Sequence, residues 1–276
     1  MIDYHIHLER GPYNLEWLKQ FWVQAELQGI TEIGITEHAH EFREFVPVYE
    51  HLWEEPSSAS WIQRHFHRSI DDYLALLNAG QQAGIPLKVG LEADYFPKRE
   101  GEIRSLLRRY DFDYVLGSVH FLGDWSFDWG PDLGWPERDA DEAYLAYLIV
   151  MEKMAQSNLF DVLAHLDVIK VFGYRAQRNL DGQWMALLQI IAEAGLAIEV
   201  STAGLRKPVG EIYPHFSLLK DAARLNIPIT IASDAHTPFD VGDRWQEAVA
   251  LAKRAGYAHY CSFKGRQRAD HQFPSL

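Results

Sequence analysis

Short apolar runs alternate along the chain with longer segments in which apolar residues recur every three to four positions. The short runs are typical of strands buried on both faces, and the longer segments have the period of amphipathic helices. Strands are predicted over 2–7, 32–36, 87–91, 114–118, 161–164, 197–201 and 229–232. Helices are predicted over 15–28, 70–83, 103–109, 142–156, 183–194, 216–225 and 245–255.

Seven strand–helix repeats in series predict an α/β fold with a parallel sheet. Helices that cover the outer face of such a sheet favour closure into a TIM-like barrel. No Pro-, Gly- or Ser-rich linker divides the 276 residues. We therefore expect a single barrel domain over 1–276.

Two connections are long for a compact barrel. Residues 39–69 follow the second predicted strand, and 121–138 follow the fourth. Long connections after the strands of a barrel often cover or form its binding site, so both are expected over the C-terminal mouth. Packing against the rim is the alternative. Trp125, Trp129 and Trp135 in the second connection could close over a small imidazole-bearing substrate, but residues of this kind more often pin a loop to the rim.

Residue types that bind metal ions occur where the predicted strands end. Side chains at positions i and i+2 of a strand point the same way, so His5 and His7 can contact one ion. The C-terminal ends of parallel barrel strands meet at one mouth, where active sites lie. The candidate metal ligands at these ends are His5, His7, His38, Glu92, His120, His165, Asp234 and His236.

Eight ligands exceed the four that one tetrahedral ion takes, so two or three ions are expected, with Glu92 bridging. Imidazoles combined with carboxylates suit zinc, manganese or iron better than calcium. Clustered ions of this kind stabilise anionic oxygens and activate water, which suits the hydrolysis of a phosphate ester. His65 and His67 also form an H-x-H pair, but they precede a helix in a polar segment and are interpreted as surface or lid residues.

The overall charge narrows the choice of partners. Acidic groups number 39 and basic groups 26, which gives a net charge of −13. Such a chain is poorly suited to nucleic acid or to anionic membranes, whereas bound ions would allow a small phosphorylated substrate. The single cysteine, Cys261, lies in an apolar run and is expected to be a buried thiol. With no disulfide framework and no signal peptide visible, a cytoplasmic location is expected.

The motifs at the strand ends resemble those of a known family. "DYHIH", "TEHAH", "GLEAD", "GSVH", "AHLD" and "SDAH" occur in this order. Together they resemble the polymerase-and-histidinol-phosphatase (PHP) superfamily of metal-dependent phosphoesterases. The longer strings "AHLDVIKVFG" and "EVSTAGLRKPVGEIYP" resemble its histidinol-phosphate phosphatase branch. The resemblance implies a distorted (β/α)7 barrel that binds three metal ions and hydrolyses L-histidinol phosphate in histidine biosynthesis.

The resemblance also implies how the ligands are shared among the ions. One ion would be bound by His5, His7, Glu92 and Asp234. A second would be bound by Glu92, His120 and His165, and a third by His38 and His236. Many members supply a further histidine to the third ion shortly after the H-x-H pair, but this chain has none there. Glu9 or a water molecule is the expected substitute.

Phosphate binding is expected to use fixed cations as well as metal ions. By resemblance, Arg206 in "AGLRKP" is the arginine of a phosphate-binding loop, and bidentate contacts between arginine and phosphate are geometrically favourable. Lys207, Lys170 and Arg175 are further candidates. For Arg206, Lys170 and Arg175, a solvated surface charge is the alternative. Asp234 or His236 is expected to protonate the leaving oxygen.

Three other functions are compatible with parts of the pattern. A PHP phosphoesterase could act on another phosphorylated metabolite, a nucleotide or phosphotyrosine. Amidohydrolase-type barrels also have an early H-x-H and a late aspartate, but they typically rely on a lysine near the middle of the barrel, where this chain has "GLEAD" and "GSVH". A metal-binding protein without turnover is the third alternative. The oligomeric state is not predicted.

Overall fold

A computed structural model describes residues 1–54 and 59–274 of the chain. The strands are β1 (Ile2–Ile6), β2 (Glu32–Ile35), β3 (Leu87–Asp94), β4 (Tyr114–Ser118), β5 (Phe121–Leu122), β6 (Trp125–Ser126), β7 (Val162–Leu163), β8 (Ala197–Ser201), β9 (Ile229–Ala232), β10 (His259–Lys264) and β11 (Gln267–Gln272). The α-helices are α1 (Leu15–Leu27), α2 (Val46–Tyr49), α3 (Ala59–Ile62), α4 (Ile70–Gln82), α5 (Glu100–Leu107), α6 (Ala140–Gln156), α7 (Asp181–Ala194), α8 (Phe216–Arg224) and α9 (Trp245–Ala255).

Seven strands form one parallel sheet in the order β1-β2-β3-β4-β7-β8-β9. The first and last strands meet through a parallel bridge between Ile6 and Ala235. The amide of His7 donates to the carbonyl of Ala235 over 2.8 Å, and the amide of Ala235 donates to the carbonyl of His5 over 3.1 Å. The sheet is therefore a nearly closed seven-stranded barrel surrounded by helices, and the predicted fold class is confirmed.

Apolar packing fills the end of the barrel that is opposite the predicted site. Tyr4 in the middle of β1 and Tyr114 at the start of β4 stack with ring centroids 4.9 Å apart. Cys261 and Phe263 of β10 complete this apolar cluster, and both are buried. The expected burial of the cysteine is thus observed, and burial raises the pKa of its thiol to about 12. The predicted metal ligands lie towards the other end of the barrel.

The predicted elements differ from the observed ones in two informative ways. Strand β3 continues three residues past its predicted end, so that Glu92 lies within the strand. The antiparallel hairpin of β10 and β11 was not predicted, because all six residues of β11 are exposed and show no alternation of apolar and polar positions. Among the described residues, no helix has the length and apolar character needed to cross a membrane.

Candidate metal centre at the mouth of the barrel

The eight predicted ligands lie together at the C-terminal mouth of the barrel. Each lies in the C-terminal half of a barrel strand or shortly after its end, and parallel strands place their C-terminal ends at the same rim. The bridge between Ile6 and Ala235 holds the end of β1 against the segment after β9. As a result, Asp234 Oδ1 lies 3.3 Å from His7 Nε2 and 3.7 Å from His5 Nε2. Residues more than 220 positions apart in sequence thus share one site.

Glu92 is the centre of the cluster. Its Oε2 lies 2.6 Å from His38 Nδ1, 3.4 Å from His5 Nε2 and 3.7 Å from His7 Nε2. Its other carboxylate oxygen, Oε1, lies 3.2 Å from His165 Nε2 and 3.7 Å from His120 Nε2. One carboxylate therefore has imidazoles on both of its oxygens, which is the arrangement that a bridging ligand between two ions requires.

Hydrogen bonds within the protein leave some of the ligand atoms without a partner, and a divalent metal ion would bind them. Nε2 of His5 and Nε2 of His7 are buried and have no hydrogen-bond partner in the described chain. Leaving a buried polar atom unpaired costs about 1–3 kcal/mol, so a cluster of such atoms needs another occupant. Three groups made up of predicted ligands have one ligand atom per residue within 4.8 Å of the others: His5–His7–Asp234, His5–Glu92–His165 and His7–His38–His236. The donor set, nitrogen with carboxylate oxygen, suits zinc, manganese or iron.

Two of the candidate ligands have a strained backbone. Asp234 has φ of 53° and His165 has φ of 27°, in the left-handed region that residues with a Cβ atom rarely adopt. Such conformations cost about 1–3 kcal/mol and persist where the surrounding structure enforces them, commonly at functional sites. Both residues lie in the turn that directly follows a strand, β9 and β7 respectively, and their side chains join the cluster.

Additional carboxylates orient the ligand imidazoles from behind. His5 Nδ1 lies 2.6 Å from Glu199, His120 Nδ1 lies 2.7 Å from Asp94, and His236 Nδ1 lies 2.8 Å from Glu9. In each case the bond leaves Nε2 pointing towards the cluster. Carboxylates bound to the second nitrogen of a metal-ligating histidine are a common feature of metal sites, because they select the tautomer and raise ligand basicity.

The charges within the site depend strongly on one another. Burial opposes ionisation of Glu92 and Asp234, but the nearby imidazoles hold the pKa of both carboxyls well below the usual range. Burial likewise lowers the pKa of His120, yet the carboxylates of Asp94 and Asp128 raise it to about 10. The pKa of His236 is raised to about 9 against burial by Asp234 and Glu9. The buried carboxylates thus need positive charge close by. In the absence of metal ions, protonated imidazoles provide it.

The cluster forms the floor of an open cavity of about 240 Å³. Besides the ligands, the lining includes aromatic residues from both long connections, namely Trp61, Phe121 and Trp129. Trp61 and Trp129 stack with ring centroids 5.4 Å apart. Residues from 39–69 and 121–138 therefore do line the mouth. Two cations, Arg10 and Lys207, and one further carboxylate, Asp128, complete the charged part of the lining.

The structure separates the four cations that were predicted to bind substrate. Lys207 lines the cavity, whereas Arg206, Lys170 and Arg175 are absent from the described lining. Arg206 donates to the carbonyls of Ser233 and Asp234 at 2.6 and 3.1 Å, so it supports the segment that carries Asp234.

Lys170 and Arg175 contact carboxylates away from the cavity. Lys170 is buried and lies 2.7 Å from Asp167 and 3.0 Å from Glu211, so the alternative of a solvated surface charge is wrong for this residue. Arg175 lies 2.7 Å from Glu211, on the other oxygen of the same carboxylate. The structure therefore does not bring these two cations to the candidate phosphate site.

The three tryptophans of the second long connection have different surroundings. Trp129 faces the cavity, while Trp135 is buried and stacks on Tyr174 with centroids 4.6 Å apart. Trp125 packs against Trp135 and donates to the carbonyl of Leu133. Trp135 thus fastens the connection to the segment that contains Tyr174, whereas Trp125 packs within the connection itself. Of the histidines interpreted as surface or lid residues, His67 is exposed and His65 stacks on Trp61.

Several residues of the site were missed by sequence reasoning. Glu199 and Asp94 are acidic residues within predicted or observed strands, and a charge in a buried strand signals a buried partner. Arg10 and Asp128 lie in connections that contain other charged residues, so nothing in their local sequence distinguishes them. Trp61 lies in the long connection 39–69, where the sequence does not indicate which aromatic residue faces the mouth.

Comparisons with known proteins give consistent results. The PHP domain family model matches residues 3–203. A probable histidinol-phosphatase from Deinococcus radiodurans is 40% identical over 192 residues, which are 68% of this chain and 73% of that protein. The histidinol-phosphatase of Bacillus subtilis is 28% identical over 87% of this chain and 95% of its own length.

Among solved structures, histidinol phosphate phosphatase from Lactococcus lactis, complexed with zinc, L-histidinol and phosphate, has a TM-score of 0.78 to this chain. It is 22% identical, and the match covers 97% of this chain and 98% of that protein. This likeness establishes the fold. It extends over the whole barrel rather than over the matched family segment alone.

Proposed function

Because this chain belongs to the PHP family, we propose that it is a histidinol-phosphatase, a metal-dependent enzyme that hydrolyses L-histidinol phosphate to L-histidinol and phosphate. The observation that carries the proposal is the convergence of eight imidazole and carboxylate side chains around Glu92 at the barrel mouth. The named functions of the relatives from Deinococcus radiodurans and Bacillus subtilis support the choice of substrate.

The cluster is proposed to hold two or three divalent ions, which are zinc, manganese or iron. Glu92 would be shared by the first two ions, because its two oxygens face different sets of histidines. His5, His7 and Asp234 would complete one set, and His120 and His165 would complete the other. His38 and His236 would hold the third ion. Glu9 is positioned to assist there, since it lies beside His236 and belongs to a group with His7.

Bound ions would supply Lewis-acid stabilisation of the phosphoryl oxygens and a nucleophile at neutral pH. The residues of the chain position the substrate around them. Lys207 and Arg10 line the same cavity and add fixed positive charge for the equatorial oxygens, where negative charge is spread in the transition state. The proposed proton donor to the leaving oxygen is Asp234 or His236, whose side chains lie 3.3 Å apart in the cavity.

The proposal is tested by elemental analysis of the purified protein together with phosphate release across a panel of phosphomonoesters. We expect two to three ions per chain and the highest kcat/KM for L-histidinol phosphate. His7→Ala and Glu92→Ala are expected to lose bound metal and turnover. Glu102→Gln, which removes a carboxylate from the first turn of helix α5, is the matched control and should retain both.

Two results would contradict the proposal in different ways. Full activity of His7→Ala or Glu92→Ala after exhaustive chelation would exclude the metal-dependent reaction. The best substrate could instead be a nucleotide, phosphotyrosine or another phosphorylated metabolite. The protein would then still be a phosphoesterase, but the proposal that histidinol phosphate is its main substrate would be wrong.

A further inference from the structure

One carboxylate in the cavity is not part of the metal cluster. The acidic residues in the described lining are Glu92, Asp234 and Asp128, and the first two contact the ligand histidines directly. Asp128 lies in the long connection 121–138, and its side chain is hydrogen-bonded to a serine of the same connection. It lines the same space as the aromatic rings of Trp61, Phe121 and Trp129. The wall of the cavity contributed by the long connections therefore combines one negative charge with an apolar surface.

Asp128 is held in place by its neighbours. Its Oδ1 accepts a hydrogen bond from Ser126 Oγ at 2.6 Å, and among the described residues its Oδ2 has no hydrogen-bond partner. The adjacent Phe127 donates its amide to the carbonyl of His120 over 3.3 Å and accepts a bond from Trp135 Nε1 over 2.7 Å. The carboxylate is thus fixed beside His120 with one oxygen available, a preorganised acceptor for a cation.

The chemistry of the proposed substrate places a cation close to this acceptor. L-Histidinol phosphate has an amino group on the carbon next to the one that bears the phosphate ester. With the phosphate at the metal ions, a protonated amine must lie near a cluster that is itself positively charged once loaded. A nearby carboxylate offsets that repulsion, and a hydrogen bond between an ammonium group and a carboxylate is stronger than one between neutral groups.

We propose that Asp128 binds the ammonium group of the substrate alcohol, with Trp61, Trp129 and Phe121 packing against its apolar part. This inference rests on the proposed function. It makes the site selective for phosphomonoesters of 2-amino alcohols that carry an aromatic or apolar group. Asp128 is a specificity-determining residue, whereas the phosphoryl transfer itself is left to the metal cluster and the residues around it.

The test compares L-histidinol phosphate with its deamino analogue, 3-(imidazol-4-yl)propyl phosphate, in the zinc-loaded enzyme. The measured quantity is the ratio of the two kcat/KM values. Asp128→Asn keeps the acceptor for Ser126 but removes the charge. We expect it to lower the ratio about 10- to 100-fold, the usual effect of losing a charged hydrogen bond. Asp128→Glu keeps the charge and is expected to retain most of the preference for the amino substrate.

Asp132→Asn is the matched control, because Asp132 is exposed in the same connection and is absent from the lining of this cavity. It should leave the ratio unchanged. Equal losses of Asp128→Asn on both substrates would overturn the inference and leave the proposed function intact, since Asp128 would then act only through His120 or the fold. A wild-type enzyme that hydrolyses neither substrate would overturn the proposed function and the inference together.

Discussion

At the residue scale, the buried carboxylates of the site are stable only because imidazoles surround them. Glu92 and Asp234 are buried carboxylates, and isolated buried charges are unstable. Each is surrounded by imidazoles, and two of these, His5 and His7, have a buried Nε2 without a hydrogen-bond partner among the described residues. Bound cations resolve both problems at once. Single substitutions of these carboxylates and histidines are therefore expected to weaken metal binding more than any other property of the protein.

The cations of the cavity allow a prediction for phosphate binding. Lys207→Ala is expected to raise the inhibition constant of inorganic phosphate and the KM for substrate about tenfold, because one fixed positive charge is lost from the phosphate site. Competitive inhibition kinetics at constant ionic strength measure both. Lys220→Ala, an exposed lysine on helix α8, is the control and should change neither. An unchanged inhibition constant of phosphate in Lys207→Ala would show that Lys207 does not contribute to phosphate binding.

At the scale of elements, strand ends position the ligands and neighbouring strands orient them. Glu199 of β8 shows this most clearly. Its Oε1 lies 2.6 Å from His5 Nδ1 on β1, and its Oε2 accepts the backbone amide of His165 after β7, over 2.9 Å. One buried carboxylate thus links two ligands from different strands. It also selects the tautomer of His5 that leaves Nε2 free for an ion.

This arrangement predicts that Glu199 positions the metal ligands without binding metal itself. Glu199→Gln is expected to weaken zinc binding about 10- to 100-fold, because the amide orients His5 less well and makes it less basic. Zinc titration of the chelated protein measures the effect. The surface variant Glu193→Gln on helix α7 should bind zinc like the wild type. Wild-type affinity in Glu199→Gln would show that the contact with His5 has no role in the site.

The same scale shows how far local sequence predicts structure. Strands β4, β8 and β9 match their predicted bounds because each is a short, fully buried run flanked by helix signals. Helix α5 begins at Glu100, three residues before the predicted start, because its first turn is polar and carries no apolar period. The hairpin of β10 and β11 was missed for a similar reason. Its turn, Gly265–Arg266, needs positive φ at both positions and is the main local signal.

At the scale of the whole molecule, an acidic chain is expected to present positive charge only where ions bind. The net charge of −13 is spread over the protein, while the mouth of the barrel gathers histidines, Arg10 and Lys207. In the absence of ions, protons on the histidines balance the buried carboxylates. The stability of the metal-free protein should therefore depend on pH in a way that the loaded protein does not share.

The direction of that dependence follows from two raised pKa values. His120 and His236 have pKa values of about 10 and about 9 in the folded metal-free chain, against about 6.5 in an unfolded one. A raised folded pKa contributes stability that is fully present below about pH 6.5 and is lost as pH rises through about 9 to 10. We expect the free energy of unfolding of the chelated protein to fall between roughly pH 7 and roughly pH 10, as measured by urea denaturation.

The zinc-loaded protein is the control for this prediction. Zinc binds deprotonated imidazole, so protons no longer stabilise the loaded cluster and this part of the decline should be absent. Buried tyrosines and Cys261 favour a decline above about pH 9 in both forms, and the difference between the forms isolates the histidines. Equal slopes for loaded and metal-free protein would contradict the prediction.

The sequence alone determined the class of fold and the chemical types of the ligands. Periodicity depends on local burial, so each barrel strand is visible as its own run of apolar residues, and six of the seven have a histidine or an acidic residue at or near their C-terminal end. Only the tertiary structure determined the distances between these ligands. Only barrel closure through Ile6 and Ala235 brings Asp234 within reach of His5 and His7.

Tertiary structure also decided which charges serve the cavity. Lys170 and Lys207 look alike in sequence, yet one is buried in an ion pair and the other lines the mouth. The partners of a side chain come from elements far away along the chain, so the local sequence does not predict them. Position in space, and not residue type, separates the charges that hold the fold together from those that face the substrate.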